Sequence, residues 1–248
     1  MWQVAEVIVP DWPAPTRVRA LTTTRRGGCS RAPYESLNLG THVGDNPERV
    51  ANNRALLRQQ QGLPADPLWL EQIHGCAVAE CSSNERDRPI IADAAFSDRP
   101  DKVCAVMTAD CLPLLLCNRS GTKVAAVHAG WRGLAAGVIE AAVNRFDEPG
   151  ESILAWLGPA IGPECFEVGG EVRERFLSID QQNEAAFQKG APGHWQADIY
   201  KLARIRLGNR GIGFIAGGDY CTVSDSDRFF SYRRDGVTGR MASLIWFA

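Results

Sequence analysis

The stretch that decides the fold runs Lys102-Val103-Cys104-Ala105-Val106-Met107-Thr108-Ala109-Asp110-Cys111-Leu112-Pro113-Leu114-Leu115-Leu116-Cys117-Asn118-Arg119-Ser120-Gly121-Thr122-Lys123-Val124-Ala125-Ala126-Val127-His128. Three apolar runs lie in it, Lys102 to Met107, Leu112 to Cys117 and Val124 to His128, and each has the length of a strand rather than of a helix. Thr108-Ala109-Asp110-Cys111 makes a tight connection between the first two, and Asn118 to Gly121 makes a turn before the third. Ala129-Gly130-Trp131-Arg132-Gly133 then leads into a helical pattern reaching about Phe146, with Leu134, Val138, Ala141, Ala142 and Arg145 on one stripe.

Downstream, a strand near Ile153 to Leu157 enters the loop Gly158-Pro159-Ala160-Ile161-Gly162-Pro163. Helices are predicted at Gly170 to Leu177 and Ile199 to Asn209, separated by a polar stretch from Ser178 to Gly193, and a strand from Ala242 to Phe247 closes the chain. Upstream, residues to about Thr24 alternate as strands do, and Arg25-Arg26-Gly27-Gly28-Cys29-Ser30 reads as a loop. Pro47 to Gln61 is a helix with Asn46 as N-cap, Pro47 at N1, Glu48 in the first turn and a stripe of Val50, Leu56 and Leu57; Gly62 and Pro64 end it. Strands and helices alternate imperfectly, which predicts an α/β domain with mixed sheets, and no internal period suggests a repeat array.

The 248 residues are 45% hydrophobic and 23% charged, enough to build one domain over residues 1–248 around a substantial core. The net charge is −2 and Lys and Arg are dispersed, so the electrostatic footprint of a nucleic-acid partner is missing. The N-terminus, Met1 to Pro10, has neither a basic n-region nor a long apolar core, and no later stretch has spanning length. A cytoplasmic location with no membrane partner is expected. Eight cysteines in a chain of this size without an export signal are expected to be thiols.

There are only four histidines, at 42, 74, 128 and 194. His74 and His128 end apolar runs beside glycines, in Ile73-His74-Gly75 and Val127-His128-Ala129-Gly130, where a rigid element can deliver a side chain to a cleft. Cys111 lies between them, after Asp110. His74, Cys111 and His128 meet the stoichiometry of a catalytic zinc site with one open position. The same atoms also read as a nucleophile pair, with Cys111 as thiolate, His128 as base and Asp110 or another acceptor orienting it. A plainer reading has satisfied core histidines and a buried thiol, and no compact ligand spacing decides among the three. Arg132, at a helix N-terminus, suits a phosphate or carboxylate and equally suits a surface turn. The loop at Gly158 to Gly162 does not match a P-loop.

Taken in order, Leu37-Asn38-Leu39-Gly40, His42-Val43-Gly44-Asp45, Asn53-Arg54, Gln72-Ile73-His74-Gly75, Asp93-Ala94, Thr108-Ala109-Asp110-Cys111-Leu112-Pro113, His128-Ala129-Gly130-Trp131-Arg132-Gly133, Gly158-Pro159-Ala160-Ile161-Gly162-Pro163, Phe230-Ser231-Tyr232-Arg233-Arg234 and Thr238-Gly239-Arg240 resemble the laccase-domain family over nearly the whole chain. That family, once described as multicopper polyphenol oxidases, is better described as purine nucleoside phosphorylases with adenosine deaminase activity, and also includes peptidoglycan editing factors. The resemblance implies a four-layer α/β/β/α sandwich with mixed sheets. It implies zinc on His74, Cys111 and His128, with copper possible at the same ligands. One departure is Ala203-Arg204, where many relatives carry an Asn, and no role is transferred to that helix.

The activities so implied are purine nucleoside and methylthioadenosine phosphorolysis and adenosine deamination. Cys111, Asp110 and Arg132 are then expected in catalysis, Asp110 as the acid that protonates departing ammonia or as a residue bracing the centre. Asn38, Arg132, Tyr232 and Arg233 are expected to bind nucleoside or phosphate. Alternatives are an amidase acting on a UDP-N-acetylmuramoyl amino acid, a metal-free hydrolase using Cys111 and His128, and a metal-stabilised binding protein. Four histidines are too few for the copper centres of a laccase, and the His-x-Glu with Pro-Cys-x-x-Cys pattern of the nucleobase deaminases is missing.

Overall fold

Along the strand Leu112–Asn118 every residue is buried, and successive side chains serve two different cores. Leu112, Leu114 and Leu116 pack against Leu134, Val138, Ile139 and Ala142, whereas Leu115 and Cys117 pack against Val106, Ile245 and Phe247. A strand covered on both faces reads as a continuous apolar run, and each such leucine contributes about 1.5–3 kcal/mol on burial. The same alternation divides Cys104–Thr108: Cys104 and Val106 join the inner core, while Ala105 and Met107 face a third one containing Leu57 of the helix Pro47–Gln61. Four layers follow, with the helix Pro47–Gln61 on one outer face and the helices Trp131–Ala136, Val138–Asn144 and Ile199–Asn209 on the other.

The computed structural model describes residues 4–81 and 90–248. One inner sheet is antiparallel, in the order Val7–Ile8, Val18–Thr23, Met241–Phe247, Cys104–Thr108. The other runs Phe214–Gly217, Ile153–Leu157, Leu112–Asn118, Val124–Ala129, Ala94–Ser97, Val78–Glu80 and is mixed, its outer pair at each edge being parallel and the rest antiparallel. A small sheet of Glu167–Gly169, His194–Ala197 and Phe187–Lys189 packs on the helical side. Among the described residues no helix is long and apolar enough to cross a membrane.

The connection Thr108 to Cys111 carries the chain from one inner sheet to the other, with Asp110 at φ 89°. The expected helix to Phe146 is two helices, because Gly137 takes φ 100° and caps the first by donating its N–H to Gly133. Arg145, placed on the apolar stripe by its spacing, is exposed and pairs with Glu80. Within Pro47–Gln61 the third fully covered side chain is Asn53, not Leu56. Its amide accepts from Cys29 N and donates to the Ser30 hydroxyl and to the Ser36 and Asn38 carbonyls, tying the glycine-rich loop to the helix.

Candidate metal centre

Two of the three expected ligands are set by one strand pair. Leu112 pairs with Ala129 and Pro113 with His128, so Cys111 enters at the same end of the six-stranded sheet at which His128 leaves it. His74 arrives from a loop, held at φ 63° by Asp93. The Asp93 carboxylate, fully buried, accepts the N–H groups of Ile73, His74 and Gly75 at 3.3, 2.9 and 2.6 Å. It also accepts His128 Nδ1 at 2.8 Å, while its backbone carbonyl accepts His128 N at 2.7 Å. One carboxylate thus fixes both histidines. Because Nδ1 donates to Asp93, Nε2 of His128 is the ring atom turned towards the other donors, the arrangement that orients metal-binding histidines.

The ligand atoms of His74, Cys111 and His128 lie within 4.8 Å of one another, with Cys111 Sγ 3.7 Å from His74 Nε2. Among the described residues this is the one group of three such side chains close enough to share an ion. Gly130 makes room for them, since a Cβ there would stand 2.8 Å from His74 Cδ2 and 2.9 Å from Cys111 Sγ. Two imidazoles and a thiolate with a solvent-facing side fit zinc. Gly130→Ala is therefore expected to weaken zinc binding at least 10-fold while leaving the fold intact, as read by competition with a chromogenic chelator and by circular dichroism.

Electrostatics favour the thiolate. Burial pushes the Cys111 thiol up, but His128 and His74 more than offset this and bring it down to about 6. Burial likewise lowers His128, while Cys111 and Asp93 raise it to about 9. The two values belong to the pair, which is a thiolate facing an imidazolium between them. In metal-stripped protein, alkylation of Cys111 by iodoacetamide is expected to rise with pH through about 6 and then level off, instead of climbing through the ordinary thiol value of 9.0. Bound zinc should suppress the reaction. Peptide mapping of the alkylated cysteine checks both.

The three ligands open into a cleft of about 390 Å³ that the fold places where the chain crosses between the inner sheets. Met107, Trp131, Ile161, Phe166 and Ile199 give it apolar walls, and Arg132, Arg233 and Arg240 give it cations, beside a His42 that burial and the charges of Arg240 and Arg54 hold below its ordinary value, towards the neutral ring. Arg132 is exposed, lies over the Trp131 ring at 4.4 Å, and has no carboxylate partner among the described residues. Tyr232, also exposed, lines the rim. Arg233 lines it too, although its guanidinium is engaged by the carbonyls of Cys165 and Glu167. Both oxygens of Asp110 are occupied, one by the Thr222 hydroxyl and one by Arg233 N, each at 2.6 Å.

Asn38 is not brought to the cleft. It is fully buried, and its amide joins Gly40, Asp45 and the Arg240 N–H, so its polar atoms are spent inside the fold and reach the cleft only by bracing Arg240. Asp93 had no assigned role in the sequence, although a charged residue inside the apolar run Ile90 to Phe96 was a signal that something buried must pair with it. Thr108 is a second omission: its hydroxyl is buried at the cleft with no partner among the described residues.

Residues 19–248 match the family described as multi-copper polyphenol oxidoreductase laccase. The chain is 57% identical to purine nucleoside phosphorylase YfiH of Escherichia coli, across 98% of this chain and 99% of that one. It is 55% identical to purine nucleoside phosphorylase PA4543 of Pseudomonas aeruginosa, across 96% and 97%. Among solved structures, Neisseria meningitidis protein NMB0706 superposes with a TM-score of 0.93 at 50% identity, covering 97% of this chain and 98% of that one. YlmD from Geobacillus stearothermophilus gives 0.87 at 28% identity, covering 99% of each. With its four-layer sandwich and its His-Cys-His group, the chain belongs to the multi-copper polyphenol oxidoreductase laccase family.

Proposed function

We propose that this chain is a zinc-dependent enzyme of purine nucleosides. As a phosphorylase it exchanges the base of adenosine or methylthioadenosine for phosphate at C1′ of the sugar; as a deaminase it converts adenosine and water to inosine and ammonia. The observation that carries the reading is the juxtaposition of His74, Cys111 and His128 with a cleft that has apolar walls and arginines at its rim. The names of the Escherichia coli and Pseudomonas aeruginosa relatives support it. The donor set, one thiolate and two imidazoles, suits zinc and falls short of what laccase chemistry demands.

Zinc held by these three residues supplies Lewis acidity at one end of the cleft. The chain's own residues do the rest. Trp131, Phe166 and Ile199 offer flat and apolar surface to a purine, and the Thr108 hydroxyl offers a hydrogen bond. Arg132, free of carboxylates among the described residues, holds phosphate against C1′. Asp110, with both oxygens engaged, braces Thr222 and Arg233 in place rather than moving a proton.

Incubating the zinc-loaded protein with adenosine tests this. Adenine and ribose 1-phosphate are expected only when phosphate is present, and inosine with or without it. Arg132→Ala is expected to raise KM for phosphate about 10- to 100-fold, matching the roughly 1.5–3 kcal/mol of a hydrogen bond to a charged group. Release of alanine from UDP-N-acetylmuramoyl-alanine, with adenosine untouched, would place the enzyme instead among amidases.

One observation favours a second reading. Cys111, His128 and Asp93 stand in the order nucleophile, base and orienting acid, so the metal-free protein holds a thiolate–imidazolium pair like that of a cysteine hydrolase. Such an enzyme would gain activity on chelation and be killed by alkylation of Cys111.

A further inference from the structure

Away from the zinc ligands, two more thiols meet at one hydroxyl. Ser224 Oγ lies 3.3 Å from Cys221 Sγ and 3.5 Å from Cys165 Sγ, and both cysteines are half-buried at the surface. A hydroxyl has one proton. When Ser224 donates it to Cys221, the remaining lone pairs face Cys165, whose S–H donates in turn. Cys221 also receives the Gly162 N–H at 3.3 Å. Burial pushes the Cys221 thiol up, but the Ser224 hydroxyl and the N–H groups of Ser224, Gly162 and Val223 outweigh it and leave it below its ordinary value. For Cys165 the balance is reversed: Ser224 lowers it, and burial, Cys221 and Glu164 together raise it. The pair therefore divides into a nucleophilic sulfur and one that keeps its proton.

Both loops are fastened to the cleft. Thr222, next to Cys221, donates its hydroxyl to Asp110 and its N–H to Ala160, and Ile161 N donates to the Asp110 carbonyl. The Cys165 carbonyl accepts from Arg233.

We propose that Cys221 and Cys165 are a thiol modification site that closes to a disulfide on reaction with a low-molecular-weight disulfide such as oxidised glutathione. The Cys221 thiolate attacks one sulfur of glutathione disulfide, forming a mixed disulfide and releasing one glutathione thiolate. The Cys165 thiol, losing its proton to that thiolate through Ser224 or solvent, attacks Cys221 Sγ and expels the second glutathione. Two protein thiols are oxidised and one disulfide is reduced to two thiols. A disulfide holds its sulfurs about 2 Å apart, closer than two atoms bridged by a hydroxyl, so closure draws Cys165 towards Cys221 and disturbs its carbonyl's bond to Arg233 at the cleft rim, while the two bonds from Arg233 to the Glu167 carbonyl remain.

The test treats the zinc-loaded protein with glutathione disulfide and maps its peptides without reduction. A linked Cys165–Cys221 peptide is expected, reverting with dithiothreitol. Lasting glutathione on Cys221, or oxidation confined to exposed Cys76, overturns the proposal. Cys165→Ser, whose Ser keeps the carbonyl to Arg233, should trap glutathione on Cys221. The effect on the cleft rests on the proposed nucleoside chemistry and is read separately. Oxidation is expected to lower adenosine phosphorolysis about 10-fold or more in the parent protein and not in Cys165→Ser. A linked peptide with unchanged turnover overturns the coupling to the cleft; a reduced protein inert to adenosine rejects the nucleoside reading and leaves the peptide result standing.

Discussion

Cys111→Ala is expected to lose bound zinc and to take adenosine phosphorolysis and deamination to background together. Residues that merely orient a ligand cost 10- to 100-fold in metal affinity when removed, and Cys111 is itself a donor, so the loss should exceed about 100-fold. Two imidazoles remain, and they lack the charge that the thiolate contributes. The side chain is half-buried at a strand end, outside the main cores, so the metal-free variant should melt within a few degrees of the metal-free parent. Elemental analysis, both assays and a melting curve on one preparation check this. A variant with full zinc, or with full turnover and none, contradicts it.

Asp93→Ala is expected to have the largest effect on stability. The carboxylate serves three backbone N–H groups and His128 from a fully buried position. Removing it leaves buried His128 without its partner and the part-buried N–H groups of Ile73, His74 and Gly75 without their acceptor, and losing one partner of such a buried pair costs roughly 3–5 kcal/mol. It also frees both histidines, so zinc affinity should fall a further 10- to 100-fold. Burial raises the Asp93 carboxyl, but hydrogen bonds from His128 and the backbone hold it below its ordinary value of 3.8. Its contribution is therefore complete above that value and fades only as pH falls through the lower folded value. Stability should fall more steeply with acid in the parent than in Asp93→Ala, which lacks this carboxylate's share. Thermal melts at pH 7 and across the acid range measure both.

The two-sided burial of Leu112–Asn118 and Val124–Ala129 was legible, because strands covered on both faces leave no polar alternation to mistake for a helix. Which sheet each run joins was not, since Thr108 to Cys111 looks like any tight connection and only the paired strands show that it passes between sheets. The short strands Val78–Glu80, Ala94–Ser97 and Phe214–Gly217 carry little pattern of their own. His74 and His128 stood out through rarity and their glycine neighbours. Cys111, lying between them, kept three readings open until the resemblance favoured the metal, and Asp93 orders the site by contacts that no spacing encodes. Asn38 illustrates the reverse: a polar residue in a recognisable motif braces a backbone as readily as it meets a substrate.

The most direct test of a zinc centre in nucleoside chemistry is to follow phosphate-dependent adenine release from adenosine alongside zinc content, through chelation and readdition. About one zinc per chain is expected, with loss of turnover in step with its removal and recovery when zinc is restored. Full adenosine turnover in protein shown to be free of metal would contradict it.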